Sequence, residues 1–154
     1  MSKLEIILLE AEQKTFDKLA ITFNASDVIK VQKVDRVHYT SPPSGLDAIF
    51  LVLPAAERWG ARIIPGKAQV LPTSPEDQIN GMPAYVATGV ALRPGDPRGP
   101  LPETKMLLSA ALDAVREFNL ANSGKQIRKL GFWAVNLLNG VTPEQLSAVF
   151  AEVL

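Results

Sequence analysis

The chain has 154 residues, balances 16 Lys and Arg against 16 Asp and Glu, and contains one histidine and no cysteine. This neutral balance argues against a dominant nucleic-acid surface or an anionic-membrane surface, because both depend on excess positive charge. The missing cysteines exclude disulfides and thiolate chemistry, and the lone His38 excludes a multi-histidine metal site within one chain. We therefore expect a single domain, residues 1–154, that needs no cofactor and no metal.

The first half of the chain alternates between short apolar strands and one amphipathic helix. Apolar runs of four to eight residues predict strands, and apolar residues at helical spacing predict a helix that buries one face. In chain order, the sequence predicts a strand at 4–9, a helix carrying Phe16, Leu19, Ala20 and Phe23 on one stripe, a strand at 28–34, a Pro-Pro loop at 40–45 and a nearly all-apolar strand at 46–54.

The second half continues this alternation, and its helix starts have clear local signals. Ser74-Pro75 and Thr142-Pro143 each pair a capping hydroxyl with proline at the first helical position. In chain order, we predict a short turn or helix within 54–66, a strand at 67–73, a helix from Ser74 closed by Asn80-Gly81, a strand at 84–92, a proline-rich loop at 93–102, a helix at about 103–119, a buried strand at 129–138 and a helix from Thr142.

Interleaved strands and helices, with at least two strands buried on both faces, predict an α/β fold with a largely parallel central sheet. We expect a three-layer α/β/α sandwich with a mixed sheet. Ligands of such folds lie beyond the carboxyl ends of the strands, which here means the loops at 53–66, 93–102 and 136–142. The sequence shows neither a signal-peptide core nor an apolar run of membrane-spanning length, so we expect a cytoplasmic protein with no membrane partner.

Three segments resemble parts of the macro domain, an α/β fold that binds ADP-ribose. LDAIFLVLP is similar to that family's Asp-Ala-Ile-Val-Asn-Ala-Ala-Asn strand, and AYVATGVAL is similar to its penultimate core strand. GFWAVNLLNGVTPEQ resembles the family's last strand, phosphate loop and final helix. The resemblance covers roughly residues 28 to 154. It implies a macro-domain-like fold and binding of ADP-ribose or a related nucleotide.

The resemblance also implies a set of ligand-binding residues. Asp35 corresponds to the family's adenine-contacting aspartate. Apart from the resemblance, the indole of Trp59 or Trp133 could stack on a base. Trp133 lies inside a buried strand and is expected in the core, whereas for Trp59 it stays open whether the ring faces a cleft or a partner. The turn with Asn136, Asn139, Gly140 and Val141 corresponds to the phosphate loop. Gly140 would let the backbone approach a phosphate at the start of the last helix. In the alternative interpretation, Asn139-Gly140 only supplies a positive φ between a strand and a helix.

Three polar features each have a functional and a structural interpretation. The amide of Asn136 lies at the end of an apolar strand and must be satisfied by a ligand or by neighbouring backbone. His38 is either a general base or a plain surface histidine. The loop with Arg93, Asp96 and Arg98 either grips an anion or is simply solvated.

Departures from the family pattern lead to two hypotheses about function. The family's two ribose-site asparagines fall on Leu51 and Pro54, and the Thr-Gly of its phosphate turn falls on Leu137 and Leu138. The first hypothesis is a module for ADP-ribose or a related nucleotide, with little or no hydrolase activity. The second is a degenerate macro fold, in which these four residues fill the pocket and an apolar surface binds a protein partner or serves an assembly.

Overall fold

A six-stranded sheet organises the chain. The computed structural model describes residues 4–39, 41–52, 56–62, 64, 67–89 and 100–154. The strands are β1 (Glu5–Glu10), β2 (Ile29–Lys33), β3 (Ala48–Val52), β4 (Ala68–Pro72), β5 (Tyr85–Gly89) and β6 (Lys129–Trp133). The helices are α1 (Gln13–Thr22), α2 (Pro75–Ile79), α3 (Pro100–Ala121), α4 (Ala134–Leu137) and α5 (Pro143–Val153), and a 3₁₀ helix covers Glu57–Trp59.

The strand order is β2-β1-β6-β3-β5-β4. Five strands run parallel, and only the edge strand β4 pairs antiparallel with its neighbour β5. The sequence-based prediction of an α/β protein with a mixed, largely parallel sheet is therefore confirmed. Because the five parallel strands point the same way, their carboxyl ends meet at one edge of the sheet, where ligand sites of such folds lie.

The two faces of the sheet are covered differently. Alternate residues of a strand point to opposite faces. We call one side the helix face, where the strand residues Ile6, Leu8, Phe50 and Phe132 share a cluster with residues of α1, α3 and α5. We call the other side the loop face, where Ile7, Leu9, Ile49, Leu51 and Trp133 form a second cluster against Val34, Val37, Leu46, Trp59 and Ala61. All three long helices thus pack on the helix face.

A glycine on the loop face leaves room for a side chain from the segment before β3. A Cβ added at Gly131 would lie 2.6 Å from Leu46 Cδ1 and 3.0 Å from Ile49 Cδ1. Next to this contact, Asp47 Oδ2 accepts hydrogen bonds from the backbone N–H groups of Arg128 at 2.8 Å and Lys129 at 2.9 Å. Leu46 and Asp47 therefore fix the entry of β3 against β6.

Most predicted elements are present, and two boundaries differ from the prediction by three residues or more. β6 ends at Trp133, and the next four residues form the short helix α4, closed by a Leu138 N–H bond to Ala134 O of 2.9 Å. The apolar run 129–138 does not reveal this change, because a buried strand and a buried helical turn have the same composition. α3 begins at Pro100, since proline is tolerated in the first helical turn, and residues 93–99 of the predicted loop lie outside the described residues.

Candidate functional site

A cleft of about 470 Å³ lies at the carboxyl ends of β2 and β6. Its lining includes Lys33, Val34, Asp35, Arg36, His38 and Trp133. Val34 N–H donates to Glu10 O at 3.0 Å and so extends the pairing of β2 with β1. Val34 and Val37 pack on the loop face, whereas Asp35, Arg36 and His38 are exposed. Because Val34 and Val37 pack against the sheet, the neighbouring polar side chains Asp35, Arg36 and His38 remain to form the wall of the cleft.

Two buried side-chain nitrogens near the carboxyl end of β6 have no hydrogen-bond partner within the described residues. Trp133 is 1% exposed, and among the described residues neither its Nε1 nor Asn136 Nδ2 has a hydrogen-bond partner. The Tyr39 ring packs edge-on against Trp133, with centroids 6.0 Å apart, and its hydroxyl lies 3.5 Å from Asn136 Oδ1. A buried donor without a partner costs about 1–3 kcal/mol, so it indicates a missing acceptor.

A third buried polar atom without a hydrogen-bond partner lies on the same face of the sheet. Thr88 in β5 is fully buried, and its Oγ1 has no hydrogen-bond partner in the part of the chain that the structure describes. The strand register pairs Leu51 with Thr88 and Phe50 with Phe132, so Trp133, Leu51 and Thr88 form one row across three strands. The sequence reasoning missed Thr88 and Tyr39. The signal that could have revealed Thr88 is its polar side chain inside the otherwise apolar run AYVATGVAL.

The structure brings together only some of the residues predicted for the site. Asp35 lines the cleft, whereas Asn136 is not among its lining residues and instead contacts the Tyr39 hydroxyl. Trp59 instead donates from Nε1 to Asp77 Oδ2 at 2.8 Å. Val141 is buried in the helix-face cluster, and both Asn139 and Gly140 are exposed in a turn.

Two backbone N–H groups at the start of α5 are hydrogen-bonded within the capping box of that helix. Thr142 N–H donates to Gln145 Oε1 at 2.9 Å, and Gln145 N–H donates to Thr142 Oγ1 at 3.1 Å. Pro143 at the first helical position has no N–H to offer. Gly140 has a φ of 76°, the conformation that the turn interpretation requires. The capping box therefore occupies donors that a phosphate at this turn would need.

Burial affects a carboxyl at the same edge of the sheet. Glu10 ends β1 and is 6% exposed, and its Oε2 accepts a hydrogen bond from Ala11 N–H at 3.1 Å. Burial raises the pKa of Glu10, and Lys33 on the neighbouring strand partly offsets this. By strand alternation its side chain points to the helix face, away from Trp133.

A separate polar cluster ties the 3₁₀ helix to α2. Asp77 accepts hydrogen bonds from Trp59 Nε1 at 2.8 Å and from Ser74 Oγ at 2.8 Å, and Arg58 forms an ion pair with it. The Arg58 guanidinium also lies 4.6 Å from the centroid of the Trp59 ring. The hydrogen bonds from Trp59 and then from Ser74 hold the pKa of Asp77 below its ordinary value, and Arg58 adds to this. These contacts hold the 3₁₀ helix Glu57–Trp59 against α2.

We expect Asp77→Asn to lower the melting temperature at neutral pH. A carboxyl whose pKa falls on folding stabilises the protein above its unfolded pKa, near 3.8, and this stabilisation is lost as pH falls through the folded pKa. The deficit of the variant should therefore shrink in acid. Thermal unfolding followed by circular dichroism across this range measures it, with Glu76→Gln on the same helix as control. A deficit that is the same at neutral and acid pH would contradict the assignment.

Within the described ranges, no group of three or more His, Asp or Glu side chains is placed to hold a metal ion. None of the described helices combines the length and the apolar character needed to cross a bilayer. No protein-family model matches the chain, and neither a curated protein nor a solved structure matches it significantly. The function of the cleft must therefore be inferred from its geometry.

Proposed function

We propose that this chain is a divergent macro-domain-like module that binds ADP-ribose or a related nucleotide in the cleft, with little or no hydrolase activity. The observation that carries the proposal is the cleft at the carboxyl ends of β2 and β6, with Lys33, Asp35 and Arg36 in its lining. In this proposal the 3₁₀ helix and residues 34–39 and 41–46 form a thin third layer on the loop face of the sheet.

The arrangement of the family-like segments supports this proposal. The three segments that resemble the macro domain contain β3, β5 and β6, which lie side by side as β6-β3-β5 and run parallel. Their carboxyl ends therefore share one edge. Asp35, the counterpart of the adenine-contacting aspartate, lies in the cleft at that edge. The contact between Trp59 and Asp77 favours a structural role for Trp59, so the proposal does not use it.

Calorimetric titration with ADP-ribose tests the proposal. We expect saturable heat and a rise in melting temperature, because a ligand at 100 times its Kd stabilises the folded state by about 2.7 kcal/mol. Asn136→Leu should remove both signals, whereas Asn139→Leu, a matched change in the exposed turn, should leave them intact. No heat and no thermal shift at about millimolar ligand would refute the proposal.

The alternative, a degenerate macro fold that serves as a protein-interaction or assembly module, has its own supporting observations. Leu51 and Leu137 are fully buried and Leu138 is half-buried, while Pro54 lies outside the described residues. An open groove of about 740 Å³ runs between α3 and α5, with Met106 and Val149 in its lining. Such an apolar groove suits a protein segment. The same titration separates the two functions, because this alternative requires no response to nucleotides.

A further inference from the structure

The two edge strands of the sheet differ in charge. β2 and β4 lie at opposite ends of the strand order, and within the described residues no strand pairs with the outer side of either. An open strand edge can pair with another chain, and lysines along the edge oppose such pairing. β2 carries the exposed Lys30 and Lys33, whereas β4, with the sequence AQVLP, carries no charge. Of the two edges, β4 is therefore the one suited to pairing.

A hydrogen bond next to β4 shows which of its backbone groups face β5. Thr73 directly follows β4, and its N–H donates to Ala84 O at 3.0 Å. The register of the two strands, extended by one position, places these residues opposite each other, so they form a hydrogen-bonded pair. Hydrogen-bonded and non-hydrogen-bonded pairs alternate along antiparallel strands. Gln69 and Leu71 therefore direct their backbone groups to β5.

The remaining residues of β4 direct their backbone groups away from the sheet. These residues are Ala68, Val70 and Pro72. The position of Pro72 agrees with this assignment, because proline is tolerated in a strand where its missing N–H would face outward. The outer side of β4 therefore offers two N–H donors, those of Ala68 and Val70.

We propose that the outer side of β4 pairs with β4 of a second copy of this chain, antiparallel and with a two-fold axis at Val70. In this register the two copies of Val70 lie opposite each other and exchange two hydrogen bonds. Ala68 lies opposite Pro72 of the second copy, and its N–H donates to that proline's carbonyl. Every outward N–H of both strands then has an acceptor, which favours this register because orphaned N–H groups are rarer in proteins than under-satisfied carbonyls.

The side chains of β4 also suit pairing with a second copy. Ala68 and Val70 pack against the helix-face cluster but are only partly buried, so a neighbouring strand would bury them further. The exposed Lys67 precedes β4 and the exposed Glu76 follows it. An antiparallel pair brings the Lys67 end of one copy to the Glu76 end of the other, so each end of the pair combines opposite charges. A two-fold contact of this kind is the commonest dimer interface.

This inference goes beyond the proposed function. The cleft lies at β2 and β6, and β3 and β5 separate β6 from β4 in the sheet. Pairing through β4 therefore leaves the cleft open in both copies, and the helix faces of the two copies lie on the same side of one continuous sheet.

Sedimentation of the full chain tests the pairing. We expect a concentration-dependent species with twice the mass of one chain at up to about 100 μM protein. Val70→Lys should weaken this self-association about tenfold, because it places two like charges directly opposite each other. Val31→Lys is the matched control and should leave the association unchanged, since Val31 is a partly buried valine on the helix face of the other edge strand.

A thiol at the two-fold axis provides a test that does not require the strand to tolerate a charge. The chain has no cysteine, so Val70→Cys contains a single thiol. Opposite residues of a hydrogen-bonded pair have Cα atoms about 5.5 Å apart, within the range that a disulfide spans. Oxidised glutathione should therefore convert Val70→Cys into a covalent dimer, and Val31→Cys, its control, should yield far less dimer.

The results can overturn the inference in three ways. A chain that sediments as a monomer at every concentration would overturn it. A dimer that folded Val70→Lys leaves unchanged would do the same, because it would place the interface elsewhere, such as the groove between α3 and α5. If circular dichroism shows that Val70→Lys is unfolded, the cysteine variants decide, and equal cross-linking of Val70→Cys and Val31→Cys would contradict the pairing. ADP-ribose enters none of these measurements, so the proposed function is tested separately.

Discussion

Gly131→Ala is expected to lower the free energy of unfolding by about 1 kcal/mol, the low end of the usual cost of overpacking a core, because the displaced atoms are the ends of flexible side chains. The added Cβ would lie 2.6 Å from Leu46 Cδ1 and 3.0 Å from Ile49 Cδ1, so the leucine must move. Leu46 packs against the loop-face cluster just before β3, and its displacement would loosen the segment that leads from the cleft wall into the sheet. Urea unfolding measures the loss, and ADP-ribose binding should weaken with it.

A double-mutant cycle shows whether the Leu46 contact is the cause. Leu46→Ala alone loses packing, but the double variant should recover part of the loss, with a coupling energy of about 0.5–3 kcal/mol. Gly124→Ala is the matched control, because a Cβ there meets no atom within 4 Å. Additive losses in the cycle, or an equal loss from Gly124→Ala, would show that the tight contact with Leu46 does not limit stability.

Local capping signals explain why the starts of α2 and α5 could be predicted from the sequence. Ser74 and Thr142 each form a capping box with the residue three positions later, and each is followed by proline. These signals lie within four consecutive residues, so no tertiary information is needed to recognise them. The apolar strands were recognisable for a similar reason, since Ala48–Val52 and Lys129–Trp133 are short runs that a sheet buries on both faces.

The site could not be predicted in the same way, because its contacts join distant parts of the chain. The Tyr39 and Asn136 side chains that meet are 97 positions apart. Trp133 was correctly expected in the core, but burial alone does not reveal that its Nε1 has no partner. For Trp59 the sequence left open whether the ring faces a cleft or a protein partner, and the indole instead donates to Asp77, which lies 18 positions away in a helix cap. The pattern of apolar strands therefore predicted the edge of the sheet where the site loops lie, but not which side chains hydrogen-bond there.

Asn136→Leu and Thr88→Val are expected to stabilise the ligand-free protein, each by about 1 kcal/mol, although both remove polar groups. Replacing a buried, unsatisfied polar atom with an apolar group of similar shape removes a desolvation penalty of about 1–3 kcal/mol, and imperfect packing returns part of this gain. Thr88→Val keeps the branched shape and is the cleaner of the two. Thr88→Ser is its control, because it keeps the hydroxyl but deletes a methyl and should therefore be destabilising.

The two stabilised variants should differ in binding. Asn136 is a predicted ligand-binding residue, so Asn136→Leu should abolish the stabilisation by ADP-ribose that the proposed function implies, while raising the unfolding midpoint of the free protein. A polar group that serves a ligand destabilises the ligand-free protein, so its removal should raise stability and abolish binding. Removal of a structural polar group should lower stability instead. Urea unfolding with and without ligand measures both quantities for each variant. If Asn136→Leu and Thr88→Val both destabilise the free protein, ordered water already satisfies these atoms, and the buried donors no longer point to a ligand.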